Sequence, residues 1–258
     1  MYRENRVKAK VKARKKTLGF WSVLGNPFVT ELLALTGLDF LVVDHEHGFG
    51  DTQNLALQLQ ALSATETTSI VRVPSSDKTY IKRVLDAGVE GLIVPNVDTA
   101  ELAEAAVAAC HYPPVGCRGS AIGSARASNY GMAVGYGDSA GENLLVVCQI
   151  ESIQAVENID AIAAVEGIDV LFIGPFDLSG SIGHLGEIDH PDVAAAIAEA
   201  ERGIKAAGKA MGTVPHPGKS WSDMFDAGYD MVNAGSDVSA LRNAGTAAMA
   251  EFRKTYPQ

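Results

Sequence analysis

The chain has 258 residues, 47% of them hydrophobic and 20% charged, a globular composition with enough apolar material for one large core. A formal net charge of −10 excludes a broad basic face for nucleic acid, and no run of about 18 apolar residues exists to span a membrane. The three cysteines, Cys110, Cys117 and Cys148, are odd in number and lack metal-type spacing, so they read as apolar fillers in a protein of the reducing cytoplasm.

Basic residues cluster at residues 1–16, where eight of the 21 Lys and Arg lie. This segment is expected to be a solvated helix across the base of the fold rather than a targeting arm. A strand pattern begins at once from Thr17, and no cleavage signal separates the two. Eight apolar runs then follow in order: Leu18–Ser22, Phe40–Asp44, Ile70–Val73, Gly91–Pro95, Leu144–Gln149, Val170–Gly174, Ala210–Val214 and Met231–Gly235. They are rich in Val, Ile and Leu without clear alternation, as parallel strands buried on both faces are. Helix signals lie between them. Asn26-Pro27 reads as an N-cap with proline at N1, and Gly37 as a stop. Asp77 opens a helix that Gly88 ends, Asp98 opens Thr99–Ala109, and His190-Pro191 opens a long Ala-rich helix ending near Gly208. Repeated βα units with no break in composition predict an α/β fold. Eight strands favour a (β/α)8 TIM barrel, with residues 1–258 as one domain. Residues 111–143 are Gly/Ser-rich and break the rhythm, as a functional or mobile loop does.

Barrel chemistry collects at the carboxyl ends of the strands. The residues expected there are Trp21, then Asp44 to His47, Arg72, Pro95 and Asn96, Gln149 and Glu151, Gly174 and Asp177, Pro215 and His216, and Gly235 to Asp237. Glu151 and Asp177 leave neighbouring strands, so their carboxylates can converge on a hard divalent cation such as Mg²⁺ or Mn²⁺. Asp177 alone would read as a helix N-cap. Arg72 ends a buried strand and needs an anion, either Asp44 or Glu46 from the next strand or a substrate enolate or carboxylate. His47 is a candidate general base and otherwise a loop histidine. Asp86 sits at a helix C-terminus, which the macrodipole disfavours, so a specific partner is expected. Arg118 and Arg126 read as structural. Gly235–Asp237 is a minor candidate for phosphate.

The segments V-D-H-E-H (43–47), V-R-V-P (71–74), K-R-V-L-D-A-G (82–88), L-I-V-P (92–95), Y-P-P-x-G-x-R-G (112–119), A-R-A (125–127), Q-I-E (149–151) and F-I-G-P-x-D-L-S (172–179) together resemble the HpcH/HpaI aldolase family, the metal-dependent class II pyruvate aldolases. The likeness runs from about Gly19 to Asp237. It implies Glu151 and Asp177 as ligands of Mg²⁺, Mn²⁺ or Co²⁺, with Gln149 lining the pyruvate site and the backbone at Gly174–Asp177 holding the substrate carboxylate. It implies Arg72 as the group stabilising an enolate and His47 as the acid–base residue, with Asp86 raising its basicity. Trp21 and Asp44 would shape the pocket. The implied reaction is reversible aldol cleavage giving pyruvate or hydroxypyruvate and an aldehyde. The implied assembly is a homohexamer, a trimer of dimers, with the last helix exchanged between subunits. His45 and Phe176 depart from the pattern, and Phe176 is expected to narrow the pocket near the donor carbon.

Three other readings are distinguishable. A Schiff-base aldolase needs a lysine in the mouth, and Lys219 is the nearest. A citrate-lyase-like acyl-CoA lyase shares the metal carboxylates but needs a CoA site. A non-catalytic barrel would bind ligand without turning it over.

Overall fold

A computed structural model describes residues 2–257. The first half runs α1 (Arg6–Lys12), β1 (Thr17–Ser22), α2 (Pro27–Ala34), β2 (Phe40–Asp44), α3 (Thr52–Leu62), β3 (Thr68–Arg72), α4 (Lys78–Ala87), β4 (Gly91–Val94) and α5 (Ala100–Cys110). The second half runs α6 (Tyr136–Asn143), β5 (Leu145–Ile150), α7 (Ile153–Glu157), α8 (Ile159–Ala163), β6 (Val170–Ile173), α9 (Pro175–Ser181), α10 (Pro191–Ala206), β7 (Ala210–Thr213), α11 (Trp221–Asp226), β8 (Met231–Ser236) and α12 (Asp237–Thr255). The eight strands are parallel and close in sequence order, with β8 returning to β1 through Thr17↔Met231, Leu18↔Val232 and Gly19↔Asn233. This is the expected (β/α)8 barrel, with each strand within two residues of its sequence assignment.

Strand side chains alternate between two apolar layers. Phe40, Val42, Ile70, Ile93, Leu145, Val147, Val170, Phe172 and Met231 fill the barrel lumen. Their neighbours Leu41, Val43, Val71, Leu92, Val146 and Leu171 pack outward against the helices. With both faces buried, the strands carry no polar alternation.

Most of the helix starts are written in the sequence. Asn26 accepts from the amides of Phe28 and Val29, and Asp77 from that of Tyr80. Gly88 ends α4 in the left-handed conformation at φ 94°. At α5 the cap is Thr99, which accepts from Leu102 N, while Asp98 instead accepts from the Ser152 hydroxyl. The N-terminal helix lies across the base as expected, but it is solvated on one face only. α1 buries Val7 and Val11 in the lumen cluster and so plugs the base of the barrel. Two buried valines contribute about 3 to 6 kcal/mol together. Lys8 is buried with them and donates to Leu144 O at 2.6 Å, with Asp169 at 3.0 Å.

Residues 111–143 are tied to the end of α4 by two arginines. Arg118 is buried, donates to Asp86 Oδ1 at 2.8 Å and lies 4.5 Å from the Tyr112 ring centroid. Arg126 donates to Ala87 O at 2.9 Å, satisfying a carbonyl at the end of α4. Both arginines are structural within this chain. α12 differs from the other long helices: its buried residue is Asp237, at the start, and Leu241, Met249 and Phe252 stand exposed.

Candidate active site

The carboxyl ends of the strands enclose a cavity of about 420 Å³. Of the sequence-assigned residues, Trp21, Asp44, His47, Arg72, Gln149, Gly174, Phe176 and Asp177 line it. Glu151 lies behind this wall, hydrogen-bonded to Gln149.

Arg72 organises the β2–β3 side. Its Nε and Nη2 donate to Asp44 at 2.9 and 2.7 Å, and Nη1 lies 3.1 Å from Glu46. The guanidinium carbon lies 4.3 Å from the centroid of Trp21, whose ring meets Phe172 edge-on. Burial raises the Asp44 carboxyl, but the Arg72 hydrogen bonds and charge outweigh it and hold the group below the usual carboxylate range. Asp44 also accepts from the amides of Glu46 and His47, and so sets the turn after β2. The next residue must be glycine, because a Cβ on Gly48 would lie 2.0 Å from the Asp44 carbonyl.

That turn divides the two histidines. His47 reaches the cavity with 65% of its side chain exposed, and its Nε2 lies 3.8 Å from Glu46. His45 is buried, with Nδ1 2.8 Å from the Tyr80 hydroxyl. Desolvation lowers its pKa against the pull of Asp44 and Asp51, which favours the neutral ring. Asp86 is not beside His47. It belongs to α4, outside the cavity lining, and is committed to Arg118. Within one chain Glu46 stands where Asp86 was expected. Sequence spacing named Glu46 only as a partner for Arg72 and missed this second contact.

Glu151 follows β5. Its Oε2 accepts from Gln149 Nε2 at 2.6 Å, and its Oε1 from the Asn96 amide at 2.8 Å. Asn96 turns that amide inward by adopting φ 54°. Gly174 at the end of β6 leaves room for that carboxylate, since a Cβ there would lie 2.9 Å from Glu151 Oε2. Asp177 lies in the first turn of α9, whose N-cap is Gly174 and has no side-chain cap. The N-cap reading of Asp177 therefore fails, and its exposed carboxylate faces the cavity.

Two acids here, Glu151 and Glu46, feel the charge of neighbouring carboxylates. Burial pushes Glu151 up to about 7, and Glu46 and Asp177 push the same way, against Asn96 and Arg72. Glu46 is raised by burial and by Asp44 and Asp177, against Arg72 and His47. Carboxylates raised by one another's charge, with no thiolate among them and a glycine cradle beside Glu151, fit a hard divalent cation.

The other expectations at the mouth resolve simply. Asp237 is buried and accepts from Val23 N and Leu24 N at 3.0 Å, so Gly235–Asp237 is an acidic brace and not a phosphate site. His216 pairs with Lys219 in a short antiparallel bridge, and no lysine lines the cavity among the described residues. Away from the mouth, His184, His190 and Asp192 draw together, with the two rings stacked at 3.4 Å. There His190 Nδ1 accepts from Asp192 N and caps α10. Among the lining residues that the sequence did not single out, one is both polar and buried. Asn233 sits inside β8, and the signal was a polar residue at an inward position of an apolar strand.

Residues 17–244 match the family model for HpcH/HpaI aldolase/citrate lyase. A 5-keto-4-deoxy-D-glucarate aldolase of Shigella boydii is 40% identical over 250 residues, covering 97% of each chain. Two solved structures share the fold throughout. An HpcH/HpaI aldolase/citrate lyase family protein of Burkholderia cenocepacia has a TM-score of 0.92 at 36% identity, covering 96% of this chain and 99% of the other. An HpcH/HpaI aldolase of Desulfitobacterium hafniense has a TM-score of 0.86 at 28% identity, covering 95% and 96%. The chain belongs to the HpcH/HpaI aldolase/citrate lyase family, and it is an aldolase, a carbon–carbon lyase. Aldolases of this family act on small keto acids and are generally dependent on a divalent metal.

Proposed function

We propose that this chain reversibly cleaves 2-keto-4-hydroxy acids, 3-deoxy or 3-hydroxy, to pyruvate or hydroxypyruvate and an aldehyde. The observation that carries this reading is the pairing of an acidic, cation-seeking cluster with a buried arginine across one cavity. The relative's substrate fits it: 5-keto-4-deoxy-D-glucarate has a methylene between its ketone and a hydroxyl-bearing carbon. Aldol cleavage there gives pyruvate and a three-carbon hydroxy-aldehyde acid.

Glu151 and Asp177 would hold the ion, Mg²⁺, Mn²⁺ or Co²⁺, with Gln149 orienting Glu151. When bound, the metal supplies Lewis-acid polarisation of the substrate ketone. Arg72 places a fixed positive charge where negative charge develops on the substrate oxygen, and Asp44 and Trp21 hold its plane. His47 takes the proton of the cleaved carbinol. The C–C bond breaks, its electron pair stays with the keto-acid fragment, and a proton returned to that carbon completes the keto acid. Glu46 lies 3.8 Å from His47 Nε2, on the same side of the cavity. Phe176, 43% exposed at the rim, would narrow the pocket near the donor carbon.

α12 enters the same proposal. Its uncovered Leu241, Met249 and Phe252 would seat on a neighbouring barrel, giving the exchanged-helix hexamer. Sedimentation of the purified protein tests this, with a monomer contradicting it.

The chemistry is tested by condensing pyruvate or hydroxypyruvate with glyoxylate or glycolaldehyde. Product should form with metal, vanish with EDTA and return on metal addition. Borohydride with pyruvate should leave no lysine adduct. EDTA-resistant turnover with a trapped adduct would replace the metal reading by a Schiff-base one.

A further inference from the structure

Asn233 is 1% exposed, and neither its Oδ1 nor its Nδ2 has a hydrogen-bond partner. It belongs to the inward set of β8 with Met231, two residues earlier in the lumen. Barrel-interior positions of this kind usually carry branched apolar side chains. Its β1 neighbour in register is Gly19, which has no side chain to meet it. Trp21, Phe172 and Val214, which share the cavity wall, are apolar. Gln149 supplies a third unpaired atom: its Nε2 is taken by Glu151, and its buried Oε1 has no partner. Buried polar atoms in native proteins are nearly always satisfied, and Asn233 and Gln149 line the same cavity, so a polar group bound in that cavity is the partner open to both.

The chemistry of the three atoms selects that visitor. A methyl or methylene satisfies none of them. A carboxylate would answer Nδ2 but face two carbonyl oxygens. A carbonyl answers only Nδ2. A hydroxyl answers both kinds, donating to an amide oxygen and accepting from Nδ2. Gln149 also locates the hydroxyl. It is bonded to Glu151, so the substrate fragment nearest to it is the keto acid held at the acidic cluster.

We propose that Asn233 and the free Oε1 of Gln149 form a hydroxyl-binding subsite that favours a keto acid bearing a hydroxyl on its bond-forming carbon, hydroxypyruvate over pyruvate. The proposal rests on the aldolase reading above and assigns a specificity residue to it. A site built to bond a hydroxyl discriminates strongly against the analogue that lacks it, because its own polar atoms are then left unpaired.

The experiment measures kcat/KM for hydroxypyruvate and for pyruvate, each with glycolaldehyde, in the metal-loaded wild type, Asn233→Ala and Asn233→Ser. The hydroxypyruvate-to-pyruvate ratio should fall about tenfold or more in Asn233→Ala and by less in Asn233→Ser. Thermal melts of both variants establish that they are folded, and Asn233→Ser keeps the test open if alanine unfolds the barrel. A ratio unchanged within about twofold overturns the proposal and assigns the amide to an ordered water. A ratio that shifts only between glycolaldehyde and acetaldehyde, at fixed donor, also overturns it, by moving the hydroxyl to the aldehyde. A wild type that condenses neither keto acid refutes the aldolase reading itself, an outcome distinct from both.

Discussion

Replacing Glu151 by glutamine should remove most of one pH-dependent component of stability, together with the stabilisation conferred by metal. Glu151 is pushed from an ordinary 4.5 up to about 7, mainly by burial. The folded chain therefore keeps a proton between these values that the unfolded chain has already released. Stability falls as pH rises through that window and is level above it. A shift of this size corresponds to about 3 kcal/mol, most of which falls between pH 5 and pH 8. Urea unfolding in EDTA at those two pH values, for wild type and Glu151→Gln, isolates the component by difference. Glutamine has no charge to desolvate, so the variant should be the more stable protein at pH 8 without metal. Adding Mn²⁺ at pH 8 should stabilise the wild type, and the variant far less. Equal pH dependence in the two proteins, or equal stabilisation by Mn²⁺, would refute the assignment of Glu151 as a strained, cation-seeking acid.

Other outcomes follow from single contacts. Arg72→Lys loses the two-pronged bond to Asp44 and the planar stack on Trp21, and kcat for aldol cleavage should drop about 100-fold or more. Gly174→Ala places a methyl against Glu151 Oε2, so metal affinity by calorimetry should weaken by about tenfold or more while the melting temperature changes little. Asp237→Ala frees the Val23 and Leu24 amides from a buried acceptor, and denaturant unfolding should show a loss of about 2 to 3 kcal/mol. Leu241→Glu with Phe252→Glu on α12 should reduce the assembled mass in sedimentation without unfolding the barrel.

Much of this molecule was readable before any coordinates. Strands buried on both faces leave uninterrupted apolar runs, so β2 was placed to the residue, and the others within two. Caps with strong local chemistry, Asn26 and Asp77, were equally plain. The misreadings share a cause, which is pairing at long range. Charge density suggested a solvated N-terminal helix, but Val7 and Val11 lie on the one face that meets the lumen. Asp86 was expected beside His47, yet Arg118, 32 residues away, takes it. Asp98 and Thr99 both suit an N-cap, and only the demand of Ser152 for Asp98 separates them. At the site, Glu151, Asp177, Arg72 and Gln149 stood out because strand ends collect polar residues. Glu46 was absorbed into a structural pairing, and Asn233 was hidden inside an apolar strand by a single letter.

The decisive test uses pyruvate alone, in D₂O, with no aldehyde present. Proton NMR of its methyl group follows exchange with solvent. The account predicts enzyme-dependent exchange with Mn²⁺ or Mg²⁺, none after EDTA, and sharply slower exchange in Arg72→Lys and His47→Asn. Exchange that persists in EDTA, or a metal-loaded enzyme that cleaves aldols without exchanging pyruvate protons, would contradict it.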